Sequence, residues 1–129
     1  MTFDWSEYLN LAQELAGDAV SSPNEEAKLR SSVSRAYYAP FCKARNHLRD
    51  IDGDQILSVD PPKVNVHTYV RNQFKNSSDK SRKKMGTDLN RLRLRRNKAD
   101  YKDVVSGLSQ LSTVSLKTTY DIISALNTL

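Results

Sequence analysis

Apolar side chains recur along most of this chain at the 3.6-residue period of an amphipathic helix, and no strand-like alternation is long enough to compete. Trp5, Tyr8, Leu9, Ala12, Leu15, Ala16 and Ala19 make the first such face. Asp4, followed three residues on by Glu7, has the spacing of a capping box and places the helix start there. Ser22-Pro23-Asn24-Glu25 repeats the signal, with Ser22 as cap, Pro23 where a missing N–H costs nothing and Glu25 completing the box. Leu29, Val33, Ala36, Pro40, Ala44, Leu48 and Ile51 then share one stripe, so the second helix should reach about Arg49. Pro40 removes one bond to the preceding turn, at about 3 kcal/mol unless the helix bends. A kink near Ala36 is predicted.

The segment Asp50 to Pro62 has turn residues, two prolines and no period, and reads as a surface loop. A shorter helix is expected from about Asn65 to Asn76, with Val66, Tyr69, Val70 and Phe74 inward. Asn76-Ser77-Ser78-Asp79 supplies caps for a fourth helix running to about Ala99. The fifth should span about Asp103 to Asn127, with Val104, Leu108, Leu111, Ser115, Ile122 and Leu126 inward and Asp103 near its positive end. The expected fold is all-α, an up-and-down bundle of four to five helices in one domain over residues 1–129.

Composition narrows the function classes. Apolar content of 38% with four Gly and four Pro is ordinary for a globular helical protein, and no apolar run approaches the roughly 20 residues of a membrane span. The start, MTFDWSEYLNL, lacks the basic and apolar regions of an export signal, so a cytoplasmic location is expected. Cys42 is the single cysteine and should be a buried, inert thiol. His47 and His67 lack the spacing of a ligand pair and read as surface or capping histidines; neither a metal nor another cofactor is expected.

The net charge of +5 is unevenly placed: residues 71 to 102 hold twelve Lys or Arg against three Asp, and the rest of the chain is net acidic. Such a segment suits RNA or a phosphate-bearing nucleotide, and equally a solvated face that only confers solubility. Within it, Met85, Leu89, Leu92, Arg96 and Ala99 share one face of the fourth helix, while Lys84, Asp88, Arg91 and Arg95 form a separate stripe that reads as solvated. A guanidinium on an apolar stripe needs a carboxylate, a carbonyl or a ligand phosphate, and Asp100 or Asp4 could meet that need as a structural ion pair. A third stripe, Asn90, Leu94, Asn97 and Tyr101, mixes apolar and polar groups as dimer contacts and shallow sites do. Arg96 and Tyr101 would sit about 140° apart on an unbroken helix, so they converge only if the helix ends near Ala99 or two chains meet.

Three strings, SRAYYAPFCKARNHL, HTYVRNQF and LNRLRLRRNKADY, occur in that order between residues 34 and 101. With their S-R-A-Y-Y-A-x-F and R-x-x-A-D-Y segments, they resemble the small prokaryotic branch of the HEPN (higher eukaryote and prokaryote nucleotide-binding) family. The resemblance implies a homodimer whose Arg-containing motifs face one cleft, and a metal-independent ribonuclease of the toxin–antitoxin or antiphage kind, often with a nucleotidyltransferase antitoxin as partner. It carries the catalytic roles to Arg96 and Asn97, with Tyr101 where the family's His is expected, and RNA or nucleotide binding to Arg35, Arg95, Arg96, Lys98 and Asp100. A phenol near pKa 10 is a poor base at neutral pH where imidazole, near 6.5, is a good one. That departure supports the alternative of a non-catalytic RNA- or nucleotide-binding module docked to a nucleotidyltransferase or larger assembly. The tyrosine that such a partner modifies in some family toxins falls at Asp103 here, so the resemblance carries no modification site to this chain.

Overall fold

The computed structural model describes residues 2–129 and is all-helical among them. Its five α-helices are α1 (Glu7–Ala19), α2 (Glu25–Asn46), α3 (Val66–Lys75), α4 (Lys80–Tyr101) and α5 (Leu108–Asn127). They form a bundle in which α2 packs on all four others, and each pair joined by a short connection (α1/α2, α3/α4, α4/α5) is in contact. The largest core cluster joins Tyr37, Phe41 and Leu48 of α2 to Phe74 of α3, Leu89 and Leu92 of α4, and Ile122 of α5.

The helix starts divide into two kinds. For α3 and α4 side-chain caps form: Asp79, among the expected caps, accepts from the backbone N–H of Arg82 at 3.0 Å, and Asn65, expected only as the approximate start of its helix, from that of Thr68 at 3.1 Å. For α1 and α2 they do not. Asp4 turns its carboxylate onto the N–H of Ser6 at 3.0 Å in a local turn, and α1 begins only at Glu7. Ser22 spends its hydroxyl on Asn24 at 2.7 Å, so Ser22-Pro23-Asn24 forms a turn and α2 begins at Glu25. At the other end of the chain α5 starts at Leu108, after Gly107 in the left-handed region (φ 63°). Val104 and Asp103 therefore lie outside α5, and Val104 is 86% exposed; Val105 takes the inward place beside Ala19, Leu29 and Leu108.

α2 runs through Pro40 without a break. Pro40 has no N–H to give the carbonyl of Ala36, four residues back, and the hydroxyl of the buried Thr119 on α5 donates to that oxygen instead. Ser32 does similar work one turn earlier, donating to the carbonyl of Ala12 at 2.7 Å and meeting Ser112 at 3.1 Å. Small residues at this crossing bring the helices close enough for such bonds. α2 ends in a single π-helical turn, His47–Ile51, closed by the N–H of Asp52 on the carbonyl of His47 at 3.0 Å. That wider turn shifts the helical phase and rotates Ile51, expected inward, to 72% exposure.

Gly86 marks where α3 and α4 approach most closely. A Cβ there would lie 2.4 Å from the backbone nitrogen of Lys75, so only glycine fits, despite costing a helix interior about 1 kcal/mol. Asp88, expected on a solvated stripe, is 4% exposed and binds Lys84 at 2.6 Å and Arg91 at 3.2 Å. Lys84 and Arg91 of that stripe thus neutralise a buried carboxylate.

Candidate functional site

α4 continues to Tyr101, two residues past the expected end at Ala99. The reason comes from α2: Arg30 donates to three carbonyls at the end of α4, those of Ala99 (2.9 Å), Lys102 (2.6 Å) and Asp103 (3.1 Å). One guanidinium thus caps the helix terminus with hydrogen bonds and favourable charge. On that unbroken helix Arg96 and Tyr101 project in different directions.

Arg96 is turned inward, with its side chain 13% exposed. Its guanidinium lies over the rings of Tyr37 and Tyr38, at 5.3 and 5.5 Å, and Nη1 donates to the Tyr38 hydroxyl at 3.3 Å. Asp100 stands at 3.8 Å, and its carboxylate also accepts from Ser34 at 3.4 Å. Nε is buried with no partner. The ion pair with Asp100 anticipated as an alternative to a ligand is therefore present, though long, and it leaves guanidinium donors unmet.

The other sequence-predicted residues scatter. Asn97, Lys98 and Tyr101 line a shallow depression with Leu94 and Lys102; Tyr101 is 75% exposed and Leu94 49%. Arg95 reaches α5 and donates to Thr118 at 3.1 Å, and its pKa is lowered by burial and then by Arg91. Arg35 packs over Tyr8 of α1 at 4.8 Å. The structure thus brings together Arg96 and Asp100, groups Asn97, Lys98 and Tyr101 apart from them, and sends Arg35 and Arg95 elsewhere.

His67, read from the sequence as a surface or capping residue, belongs to the Arg96 neighbourhood. Its ring stacks on Phe41 with centroids 4.2 Å apart, and Nδ1 is 2.6 Å from the Tyr37 hydroxyl. Burial pushes its pKa down, and the guanidinium groups of Arg96, Arg93, Arg71 and Arg45 push it further. Burial likewise raises Tyr37 to about 12. Arg71 donates to the carbonyl of His67 at 3.4 Å, and its own pKa is lowered by burial and by Arg93. The signal for this cluster was the aromatic run Tyr37, Tyr38, Phe41 at i, i+1 and i+4, whose face becomes informative only once the partner helix is known. Cys42 is buried as expected, and burial raises its thiol pKa.

Among the described residues no group of three or more His, Cys, Asp or Glu is placed to hold a metal ion, and no helix is long and apolar enough to cross a membrane. A scan of protein-family models, a search of curated proteins and a search of solved structures each find no match to the chain.

Proposed function

We propose that this chain is an RNA- or nucleotide-binding helical domain of the HEPN kind its motifs resemble, holding phosphate groups on its α3–α4 side and pairing with a second copy through the Leu94–Tyr101 face of α4. One observation carries the reading: the positive charge spread along α3 and α4 is only partly neutralised among the described residues. Of the twelve basic side chains between residues 71 and 102, Arg82, Lys84, Arg91 and Arg96 lie within 4.0 Å of a carboxylate, and the other eight have none among the described residues. Burial and then the nearby Arg93 guanidinium lower the pKa of Arg71, a cost in free energy that a bound polyanion returns.

The geometry favours binding over cleavage. Tyr101 is exposed and directed away from Arg96, so one chain does not assemble Arg96, Asn97 and Tyr101 around a single phosphate. The ribonuclease reading, with its toxin role and nucleotidyltransferase antitoxin, needs a second chain to bring those groups together. The exposed Leu94 and Tyr101 flanking Asn97 are what leaves that reading a route, because pairing there would cover apolar surface.

Fluorescence anisotropy with a labelled single-stranded RNA tests the binding reading. Wild type should bind with an affinity that falls steeply with salt, by a slope of about 0.7 for each phosphate neutralised. Arg71→Gln with Arg93→Gln should weaken binding and flatten that slope. Absence of binding at low salt removes the proposal, and light scattering that gives a monomer at micromolar concentration removes the pairing.

A further inference from the structure

A second basic site adjoins His67, in a cavity whose lining does not include Arg96. The C-terminal part of α2, the loop after it and the first turn of α3 enclose a cavity of about 420 Å³, lined by Phe41, Arg45, Arg49, Ser58, Asp60 and His67 among others. Its size is in the range of small-ligand pockets, which begin at roughly 300 Å³. Phe41 and Arg45, one turn apart on α2, and Arg49 of the π turn all line the cavity. Arg49 is held by Asp50 at 2.8 and 3.0 Å, and Asp60 offsets part of the remaining charge. Arg45 is not offset: its Nε donates to the neutral Asn46 at 3.0 Å, its guanidinium lies over Trp5 at 5.5 Å, and no carboxylate of the described residues comes within 4.0 Å.

His67 completes the site through its tautomer. Tyr37 is 1% exposed, and its hydroxyl has no partner but the imidazole among the described residues. Were Nδ1 the donor, the Tyr37 proton would be buried without an acceptor, at a cost of about 1–3 kcal/mol. The phenol therefore donates to Nδ1, and a neutral ring accepting there must carry its own proton on Nε2. Nε2 makes no hydrogen bond, yet the only buried unpartnered polar side-chain atoms among the described residues are Arg96 Nε and Ser115 Oγ. Nε2 thus reaches solvent, and His67 is a lining residue of the cavity.

We propose that this cavity is a phosphate-group site, distinct from the Arg96 face, in which His67 donates a hydrogen bond through Nε2–H and Arg45, supported by Arg49, supplies the charge. The α3 N-terminus, where His67 sits in the first turn, adds its positive end to the same side. Every element packed around the imidazole contributes: Tyr37, Tyr38, Phe41 and Arg45 from α2, Arg71 from α3, Arg93 and Arg96 from α4, and Asp60 from the loop. The cations outnumber the one carboxylate, so a phosphate at Nε2 relieves their repulsion and raises the protonation midpoint of His67.

Nitrogen NMR of the His67 ring in the intact chain, with inorganic phosphate and with a single-stranded RNA as separate probes, is the test. Before ligand, Nε2 should show as protonated and Nδ1 as bare. Either probe should move the Nε2 signal and raise the midpoint, and Arg45→Gln should weaken the response about tenfold, the scale of one charge-assisted hydrogen bond. A response to phosphate matching that to RNA identifies a free phosphate or nucleotide as the occupant; a response to RNA at far lower concentration identifies a polymer backbone. A proton on Nδ1, or an Nε2 signal that neither probe moves, overturns the proposal. Arg96→Ala keeps the two sites apart: RNA binding lost with the His67 phosphate response intact leaves this site standing, whereas RNA binding by wild type without a His67 response removes this site alone.

Discussion

On one side of α4, Met85, Leu89 and Leu92 are sunk in the core and Arg96 follows them inward; on the other, Leu94 and Tyr101 stand 49% and 75% exposed. A charged residue is thus better buried than a leucine two positions before it. Helical phase decides burial here, and chemistry then has to be accommodated. Arg96 is accommodated by two tyrosine rings, a hydroxyl and Asp100. The same holds for other inward polar groups: Thr119 answers the carbonyl freed by Pro40, Asp88 collects Lys84 and Arg91, and the Tyr37 hydroxyl is hydrogen-bonded with His67 Nδ1. Most polar groups turned inward have specific partners among the described residues, Arg96 Nε and Ser115 Oγ excepted, whereas Leu94 and Tyr101, turned outward, face open surface.

The contrast can be broken hardest at the α3–α4 contact that holds the inward side in place. Gly86→Ala should destabilise the fold by about 3 kcal/mol, because the new Cβ meets backbone that no rotamer can move; denaturant unfolding measures it. Thr119→Val keeps the shape and removes the donor, so it should cost about 2 kcal/mol, and less in a Pro40→Ala background, where a helical N–H can reach the Ala36 carbonyl again. Equal costs in the two backgrounds would show that the hydroxyl is not answering Pro40.

A pH series sharpens the comparison next. The folded state lowers the pKa of His67 from 6.5, so the unfolded chain binds the extra proton more readily. The resulting stability is fully present above pH 6.5 and is lost as pH falls below it toward the folded value. Thermal melts should therefore show a midpoint declining below neutral pH, with that part of the slope reduced in His67→Gln. The smallest effect on stability belongs to the outward side: Leu94→Ser and Tyr101→Ser should change folding by no more than about 0.5 kcal/mol. Their effect should appear in light scattering instead, as loss of the paired species.

Much of this was legible in the sequence alone. The five helices, most of their apolar stripes and the inward Arg96 follow from a 3.6-residue period, the Asp79 cap from local cap chemistry, and the buried Cys42 from its being a single thiol. Such signals are contained within one or two turns of chain. At Asp4, Ser22 and Ile51 the local rules pointed the wrong way, because Asp4 and Ser22 had nearer partners than a cap and the π turn changed the period.

What only the tertiary structure decided are the partnerships between helices. Thr119 meets Ala36 across 83 positions, Arg30 reaches the end of α4 across 69 to 73, and Tyr37 finds His67 across 30. No period in the sequence encodes those distances. A hydrogen bond needs its two atoms within about 3 Å, and which side chains come that close is set by how whole helices cross, an outcome of all the buried surfaces together.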